Sequence, residues 1–377
     1  MIIHPSPGPA KLRIGIVIHD FALGGTERIA IRLATAWSHL DAEVEIYCGS
    51  EAGPLRELLD ANVRVSAAMI PINRGWRSVH RLAKAARAHF EAHPVEGMFV
   101  PGNYHWPVVS AIAKLPRDIR PIIVAQVSSA LEKPQRGMWR QHWFEHRMRR
   151  RLARADHIVT LSDETTILAR GILPRQRVTT IPLPALKDVT APPLAVPVGP
   201  PLLVAAGRLV KQKDFPTLVD AFAILRHPTA RLVIIGSGPE EATIRARITA
   251  HNLGDDVQLV GYVPEIRGWL DRARLFVLPS IHEGYAAVII EALSAGRQVI
   301  ATDCTPAARE LLGSTVAGRV VPVSDPRALA AAMAATLADP APDPDVLARR
   351  VEEFRIGPIA KSYLELMGID HAIGGAR

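Results

Sequence analysis

Short runs of Val, Ile and Leu, bounded by Gly, Pro, Asn and Asp, alternate with amphipathic helical patterns along the whole chain. In the first half these runs fall at Arg13–His19, Glu43–Gly49, Val63–Ile70, Met98–Pro101, Ile122–Val127 and His157–Ser162. In the second half they fall at Leu202–Arg208, Leu232–Gly236, Val257–Val263, Leu275–Pro279, Gln298–Asp303 and Val320–Val323. None alternates apolar with polar. Such strands are buried on both faces, hence parallel and helix-covered. Strand–helix alternation of this kind makes βαβ units, and the expected class is α/β with doubly wound parallel sheets. The clearest helix reads over Asp214–Arg226: Asp214 can cap it, Pro216 sits in its first turn, and Leu218, Ala221, Phe222 and Leu225 share one face.

The 377 residues exceed one ordinary core and suit two domains. Pro182–Pro201 has no periodicity, and seven of its residues are proline, so it reads as a semi-rigid linker. The expected division is 1–182, a linker over 183–201, and 202–354. Two Rossmann-like domains joined by a hinge would face each other across a cleft. Ligands in such sheets bind outside the carboxyl ends of the strands, which directs attention to the loops that follow strands.

Two loops in the second half carry chemistry. In GRLVKQKDF, Arg208 ends a strand and Lys213 stands just before a helix, a pairing suited to a diphosphate or simply to solvent. In LPSIHEGYAAVIIEALSAGRQVIATD, Glu283 and Gly284 occupy a loop, and a helix over about Tyr285–Ala295 carries Glu291. Eight helical residues separate the carboxylates by roughly 12 Å, too far for one acid–base pair but suited to two ends of a long ligand. The amides around Gly284–Ala287 would present the helix's positive end to an oxygen-rich group. A structural hydrogen bond explains Glu291 equally well. Gly236 and Gly238 in VIIGSGPEE lack the third glycine of a dinucleotide fingerprint and read as a tight turn.

The order GRLVKQKDFPTLVDAF, VIIGSGPEE, VQLVGYVPE and LPSIHEGYAAVIIEALSAGRQVIATD closely resembles the retaining glycosyltransferases of family 4, which have the GT-B fold. The resemblance is strong over about Leu202–Leu312 and looser before it. It implies that Arg208 and Lys213 bind the diphosphate of a nucleotide-sugar donor. It places Glu283 at the transferred sugar near the reacting centre and Glu291 on the ribose hydroxyls. Gly284, Tyr285, Ala286 and Ala287 would contact sugar and phosphates through their amides, and Val263, in the Gly261–Glu265 loop, would lie beside the base. Gly24 and Gly25 of GGTER match the family's glycine loop, although a tight turn before a helix fits them too. Residues 355–377 would return to pack on the first domain. Many members have a histidine where this chain has Gln126, so a catalytic role passes to His105 in GNYHWP, or that ring is simply packed there. No cofactor and no metal are expected, and the outcome is transfer with retention.

The charge of +8 favours anionic partners or reflects an arginine-rich composition. Residues 136–154 hold seven arginines against one glutamate, with Trp139, Trp143 and Phe144, and residues 74–93 are similar. Such stretches suit an anionic membrane surface, or a solvated helix covering the first sheet. With no recognised nucleic-acid motif, nucleic acid is not an expected partner. Cys48 and Cys304 read as free thiols, and the N-terminus lacks signal-peptide features. The expectation is a cytoplasmic enzyme, peripheral on the membrane's inner face, that transfers a hexose from a UDP- or GDP-sugar to a glycan or lipid-linked acceptor in surface polysaccharide or glycolipid synthesis. A nucleotide-sugar epimerase or hydrolase, a catalytically degenerate partner subunit, and a nucleic-acid-binding protein are the alternatives.

Overall fold

The computed structural model describes residues 11–129, 131, 137–313 and 316–368. The chain forms two compact units, Met1–Pro184 with Ile356–Arg377, and Ala185–Arg355. In the first unit, β1 (Arg13–Ile18), β2 (Glu43–Cys48), β3 (Arg64–Ala67), β4 (Gly97–Val100), β5 (Ile122–Val127), β6 (His157–Thr160) and β7 (Val178–Thr180) build one sheet. Its order is β3-β2-β1-β4-β5-β6-β7, and every pairing is parallel. The helices between are α1 (Gly25–Ser38), α2 (Ser78–Ala92), α3 (Trp106–Ile112), α4 (Met138–Leu152) and α5 (Asp163–Ile172). All of β1 except Arg13 is buried, as its apolar run requires.

The second unit repeats the plan with β8 (Leu202–Ala206), β9 (Arg231–Ile235), β10 (Val257–Leu259), β11 (Leu275–Leu278), β12 (Gln298–Thr302) and β13 (Gly318–Val321). Its order is β10-β9-β8-β11-β12-β13, again wholly parallel. Its helices are α6 (Phe215–Leu225), α7 (Glu241–Ala250), α8 (Arg267–Arg272), α9 (Ala287–Ser294), α10 (Pro306–Leu312), α11 (Pro326–Ala338) and α12 (Pro344–Arg349). Leu218 and Phe222 of α6, with Leu329 and Met333 of α11, are buried in one cluster with Leu203, Ile234 and Val277 of the sheet. Each such side chain contributes roughly 1.5–3 kcal/mol by leaving water. The last helix, α13 (Ile356–Leu366), belongs to the first unit, where Trp37 Nε1 donates to Ala360 O at 2.9 Å. Both units are thus doubly wound. The strand order reverses between β1 and β4 in one and between β8 and β11 in the other, so the loops after those strands flank the ligand crevice of each sheet.

Several elements differ from expectation for physical reasons. β7, a three-residue strand of Val-Thr-Thr, is too short and too polar to register as an apolar run. β3 pairs only with β2 and ends at Ala67, leaving Met69 and Ile70 on the surface. β10 stops at Leu259, short of the anticipated Val263. Asp214 precedes α6 but does not cap it: its backbone is left-handed (φ 46°), and its Oδ2 accepts from Ser324 Oγ at 3.0 Å. The proline-rich run lies largely in the second unit and is clamped there by arginines. Arg267 donates to Ala191 O and Pro192 O, Arg355 to Lys187 O and Asp188 O, and Arg297 to Ala195 O.

Candidate active site

The second unit assembles its charged residues at the β8/β11 reversal. β8 and β11 are hydrogen-bonded neighbours, with Leu203 opposite Leu275, so the loops leaving their carboxyl ends rise side by side. The loop after β8 carries Arg208 and closes in a 3-10 turn, Lys211–Lys213. The loop after β11 carries Glu283. Gln212 stitches the two together: its Nε2 donates to His282 O at 2.7 Å and its carbonyl accepts Ile281 N at 2.8 Å. The Lys213 side chain runs over Gly207, where a Cβ would stand 3.1 Å from Lys213 Cε.

At the end of that path Lys213 Nζ donates to Glu283 Oε1 at 2.6 Å, and Ser280 Oγ donates to the same oxygen at 2.6 Å. The pair is largely withdrawn from water, with side-chain exposures of 16% and 10%. The Glu283 backbone is fixed as well, its N–H bonded to Cys304 O at 2.8 Å. An ammonium has three N–H donors, so Lys213 is oriented by Glu283 with donors left for another anion. Arg208 is exposed, and among the described residues none bonds its guanidinium.

The backbone around this pair is drawn tight. Gly236 N donates to Gly261 O, Leu209 N to Ser237 O, and Glu240 N to Leu209 O, which laces together the loops after β8, β9 and β10. Gly236 (φ 147°) has no alternative residue, because a Cβ there would sit 1.8 Å from Gly207 O. Val263 is half-buried in the loop after β10. Gly284 O accepts from Thr305 Oγ1 at 3.1 Å. Tyr285 turns its ring inward, 5.9 Å from that of Phe354, and so offers the site its backbone rather than its ring. Ala286 is left-handed (φ 62°, ψ 59°), a conformation costing a non-glycine residue roughly 1–2 kcal/mol. That residue breaks the anticipated Tyr285–Ala295 helix, which begins only at Ala287. The 12 Å axial separation of Glu283 from Glu291 therefore does not hold, since only the stretch from Ala287 onward is helical. Glu291 is half-buried on α9. The Cys304 thiol is buried beside this loop and free, with its pKa pushed up to about 12 by burial.

In the first unit the β1/β4 reversal holds a second polar cluster. Gly24 precedes α1, and a Cβ on it would stand 2.1 Å from Glu27 Oε2, whereas a Cβ on Gly25 would meet nothing within 4 Å. Arg74 bonds Asp20 at 2.6 and 2.8 Å and the buried Glu27 at 2.6 Å. Hydrogen bonding to Asp20, then to Glu27, raises the Arg74 pKa. Burial and the Arg74 charge lower that of His19, whose ring stands 5.6 Å from Tyr104. His105 is wholly buried: its Nδ1 lies 2.8 Å from Pro101 O, and its Nε2 has no partner among the described residues. Burial pushes its pKa down to about 4, so the ring is neutral near pH 7. Gln126 bonds Tyr363 OH at 2.9 Å and serves packing rather than chemistry.

The structure thus brings Arg208, Lys213, Glu283 and Gly284–Ala287 to adjacent loops of the second unit, and Gly24, Gly25 and His105 to the reversal point of the first. His19, Glu27 and Arg74 escaped the sequence reading. Glu27 alone had a signal, standing three residues after the cap position Gly24. Arg74 is separated from its partners by a whole βαβ unit. Among the described residues no group of three or more His, Cys, Asp or Glu side chains is placed to hold a metal ion, and no helix is long and apolar enough to cross a membrane.

The model of the glycosyl transferases group 1 matches residues 187–354, and that of the glycosyl transferase 4-like domain matches residues 24–184. The amylovoran biosynthesis glycosyltransferase AmsK of Erwinia amylovora is 32% identical over 156 residues, 39% of this chain and 36% of that protein. The match therefore spans little more than a third of that relative's length. Sucrose-phosphate synthase from Thermosynechococcus elongatus has a similar structure (TM-score 0.76, 20% identity, 94% of this chain and 98% of that one). So does Anabaena HepE in complex with UDP (TM-score 0.72, 16% identity, 95% of this chain and 100% of that one). With one domain model on each of its two Rossmann-like units, the chain belongs to the family 4-like glycosyltransferases of GT-B fold.

Proposed function

We propose that the protein transfers a hexose, with retention, from a nucleoside-diphosphate sugar to a glycan or lipid-linked acceptor in the synthesis of a surface polysaccharide or glycolipid. The observation that carries this is the Lys213–Glu283 pair at the β8/β11 reversal, with Arg208, which has no side-chain partner among the described residues, on the same loop as Lys213. Arg208 and the spare donors of Lys213 would hold the diphosphate, and the α9 N-terminus with the amides of Gly284–Ala287 would share its charge. Glu283 faces the sugar, Glu291 takes the ribose hydroxyls, and the half-buried Val263 borders the base. In the first unit Gly25, where a Cβ would meet nothing within 4 Å, keeps its backbone open, as a glycine loop for a phosphate requires. HepE is described with UDP and AmsK with amylovoran biosynthesis, which favours a nucleotide donor and a polysaccharide product.

The step breaks the bond from the sugar's anomeric carbon to the diphosphate oxygen. It forms one from that carbon to the acceptor oxygen on the same face, and the acceptor proton passes to the departing diphosphate. No side-chain nucleophile is needed. Protein cations neutralise the leaving group, so turnover is expected to survive a chelator. His105 enters only as a neutral ring with a bare Nε2 lone pair, and the charge work falls to Glu283 and Lys213.

The test incubates UDP- and GDP-sugars with candidate acceptor glycans and reads release of the nucleoside diphosphate and the anomeric configuration of the product. The reading predicts a retained linkage and a loss of about 100-fold or more in turnover for Glu283→Gln. An epimerised or merely hydrolysed sugar nucleotide with every acceptor would replace transfer by the epimerase or hydrolase reading. No turnover with any donor would point to a degenerate subunit.

A further inference from the structure

The first unit carries a surface with no part in the donor chemistry. Trp139, Trp143, Arg147 and Arg151 recur every four residues on α4, which lines them up on one stripe of the helix. Met148 and Leu152 face the core instead. Trp139 is 84% exposed and Trp143 is 59% exposed, with the Arg147 guanidinium 4.2 Å from the Trp143 ring centre. The start of α2 repeats the arrangement: Trp76 is 83% exposed, with the Arg77 guanidinium 4.1 Å from its ring centre. Tryptophan is rarely left this bare in a soluble domain.

The two features adjoin. α2 and α4 both pack on α3, and the charges of Arg151, Arg147 and Arg77 all reach His80 on α2 and lower its pKa, after burial. Among the described residues no carboxylate acts on His80 or on Arg151, whose pKa is pushed down to about 10 by burial and by Arg147. The one acidic residue of α4, Glu145, is taken by Arg149 and Gln141. Trp76 and Arg77 before α2 and the Trp139–Arg151 stripe of α4, far apart in sequence, therefore make one cationic face studded with tryptophan. Arg136 itself lies outside the described residues.

We propose that this face docks on an anionic lipid bilayer, with Trp139, Trp143 and Trp76 entering the headgroup layer and Arg77, Arg147 and Arg151 meeting lipid phosphates. A bilayer is favoured over other polyanions because three tryptophans stay 59–84% exposed on the same face as the arginines, a combination that suits rings entering an interface. Stacking holds Arg77 and Arg147 against the rings, so ring and charge would meet the headgroup layer together. The transferase reading rests on none of these residues, so failure here would leave it intact.

The test is co-flotation of the full chain with vesicles of phosphatidylglycerol in phosphatidylcholine, against phosphatidylcholine alone, at low and high salt. Binding is expected only with the anionic vesicles and is released by salt, as screening shortens to about 3 Å at 1 M. Arg77→Gln with Arg147→Gln should weaken partition about fivefold per arginine. Trp139→Ala with Trp143→Ala should abolish it, and both variants should keep the wild-type melting temperature and donor response. Equal flotation with both vesicle types, or variants that float like wild type, would overturn the proposal. Release by inorganic phosphate at constant ionic strength would instead assign the cluster to a free phosphate, and release by a short nucleic-acid duplex would assign it to nucleic acid.

Discussion

His105 shows how far burial changes a side chain's chemistry. Its folded pKa of about 4 lies below the ordinary histidine value of 6.5. Between those values the unfolded chain binds a proton that the folded one refuses, so stability falls as pH drops through that window. The slope from this one residue is at most about 1.4 kcal/mol per pH unit. The Asp20, Glu45 and Glu96 carboxyls are also held below their ordinary values, so their contribution is likewise lost as pH falls, but from the ordinary carboxylate range downward and therefore beneath a scan from pH 7 to pH 5. Thermal melts from pH 7 to pH 5 should show the decline, and His105→Gln should reduce its slope, with His19, His80 and His157 carrying the remainder. A slope unchanged in that variant would mean the ring is protonated, or accessible, in the folded protein. Lys213 and Glu283 were legible as types in known positions, but their mutual bond was not. It depends on Gly207 letting the lysine pass and on Ser280 and Cys304 turning the glutamate toward it.

Strands with two buried faces were legible because a run such as RIGIVI has no other stable placement in a parallel sheet. What was not legible lay at edges and turns. β7 escaped because two of its three residues are threonine, and β13 begins two residues early, at a glycine that reads as a breaker. The α9 start was misjudged because an alanine in left-handed backbone has no signature in sequence. The glycine loop before α1 can be tested without disturbing the fold. A Cβ at Gly25 meets nothing, and alanine is the better helix residue, so Gly25→Ala should leave stability unchanged or raise it by up to about 1 kcal/mol. If Gly25 contacts the donor, as its match to the family's glycine loop implies, the added methyl should lower donor affinity about tenfold or more. A variant that is more stable and binds the donor normally would remove Gly25 from the site.

Two units built on one plan divide the work: the second concentrates cations and carboxylates at its sheet reversal, and the first holds a neutral, buried histidine and a cationic tryptophan face. The resemblance in the second half was specific because its motifs sit in the loops that the parallel sheet brings side by side. The first half was harder to read, because its polar cluster joins Asp20 and Glu27, at the start of the chain's first βαβ unit, to Arg74 and His105 far along the sequence. The decisive measurement is a thermal-shift panel of UDP-, GDP- and ADP-sugars on wild type, Lys213→Ala and Glu291→Ala. Removing Lys213 strands a mostly buried carboxylate that, among the described residues, keeps Ser280 alone as a partner, so that variant should melt lower, by about 1–3 kcal/mol of stability. Its response to ligand, and not its starting melting temperature, is the readout. A true donor at about 100 times its Kd should stabilise the wild type by roughly 2.7 kcal/mol and neither variant by a comparable amount. If no nucleotide sugar shifts the wild type, or if both variants respond as it does, the Lys213–Glu283 loops are not a donor site.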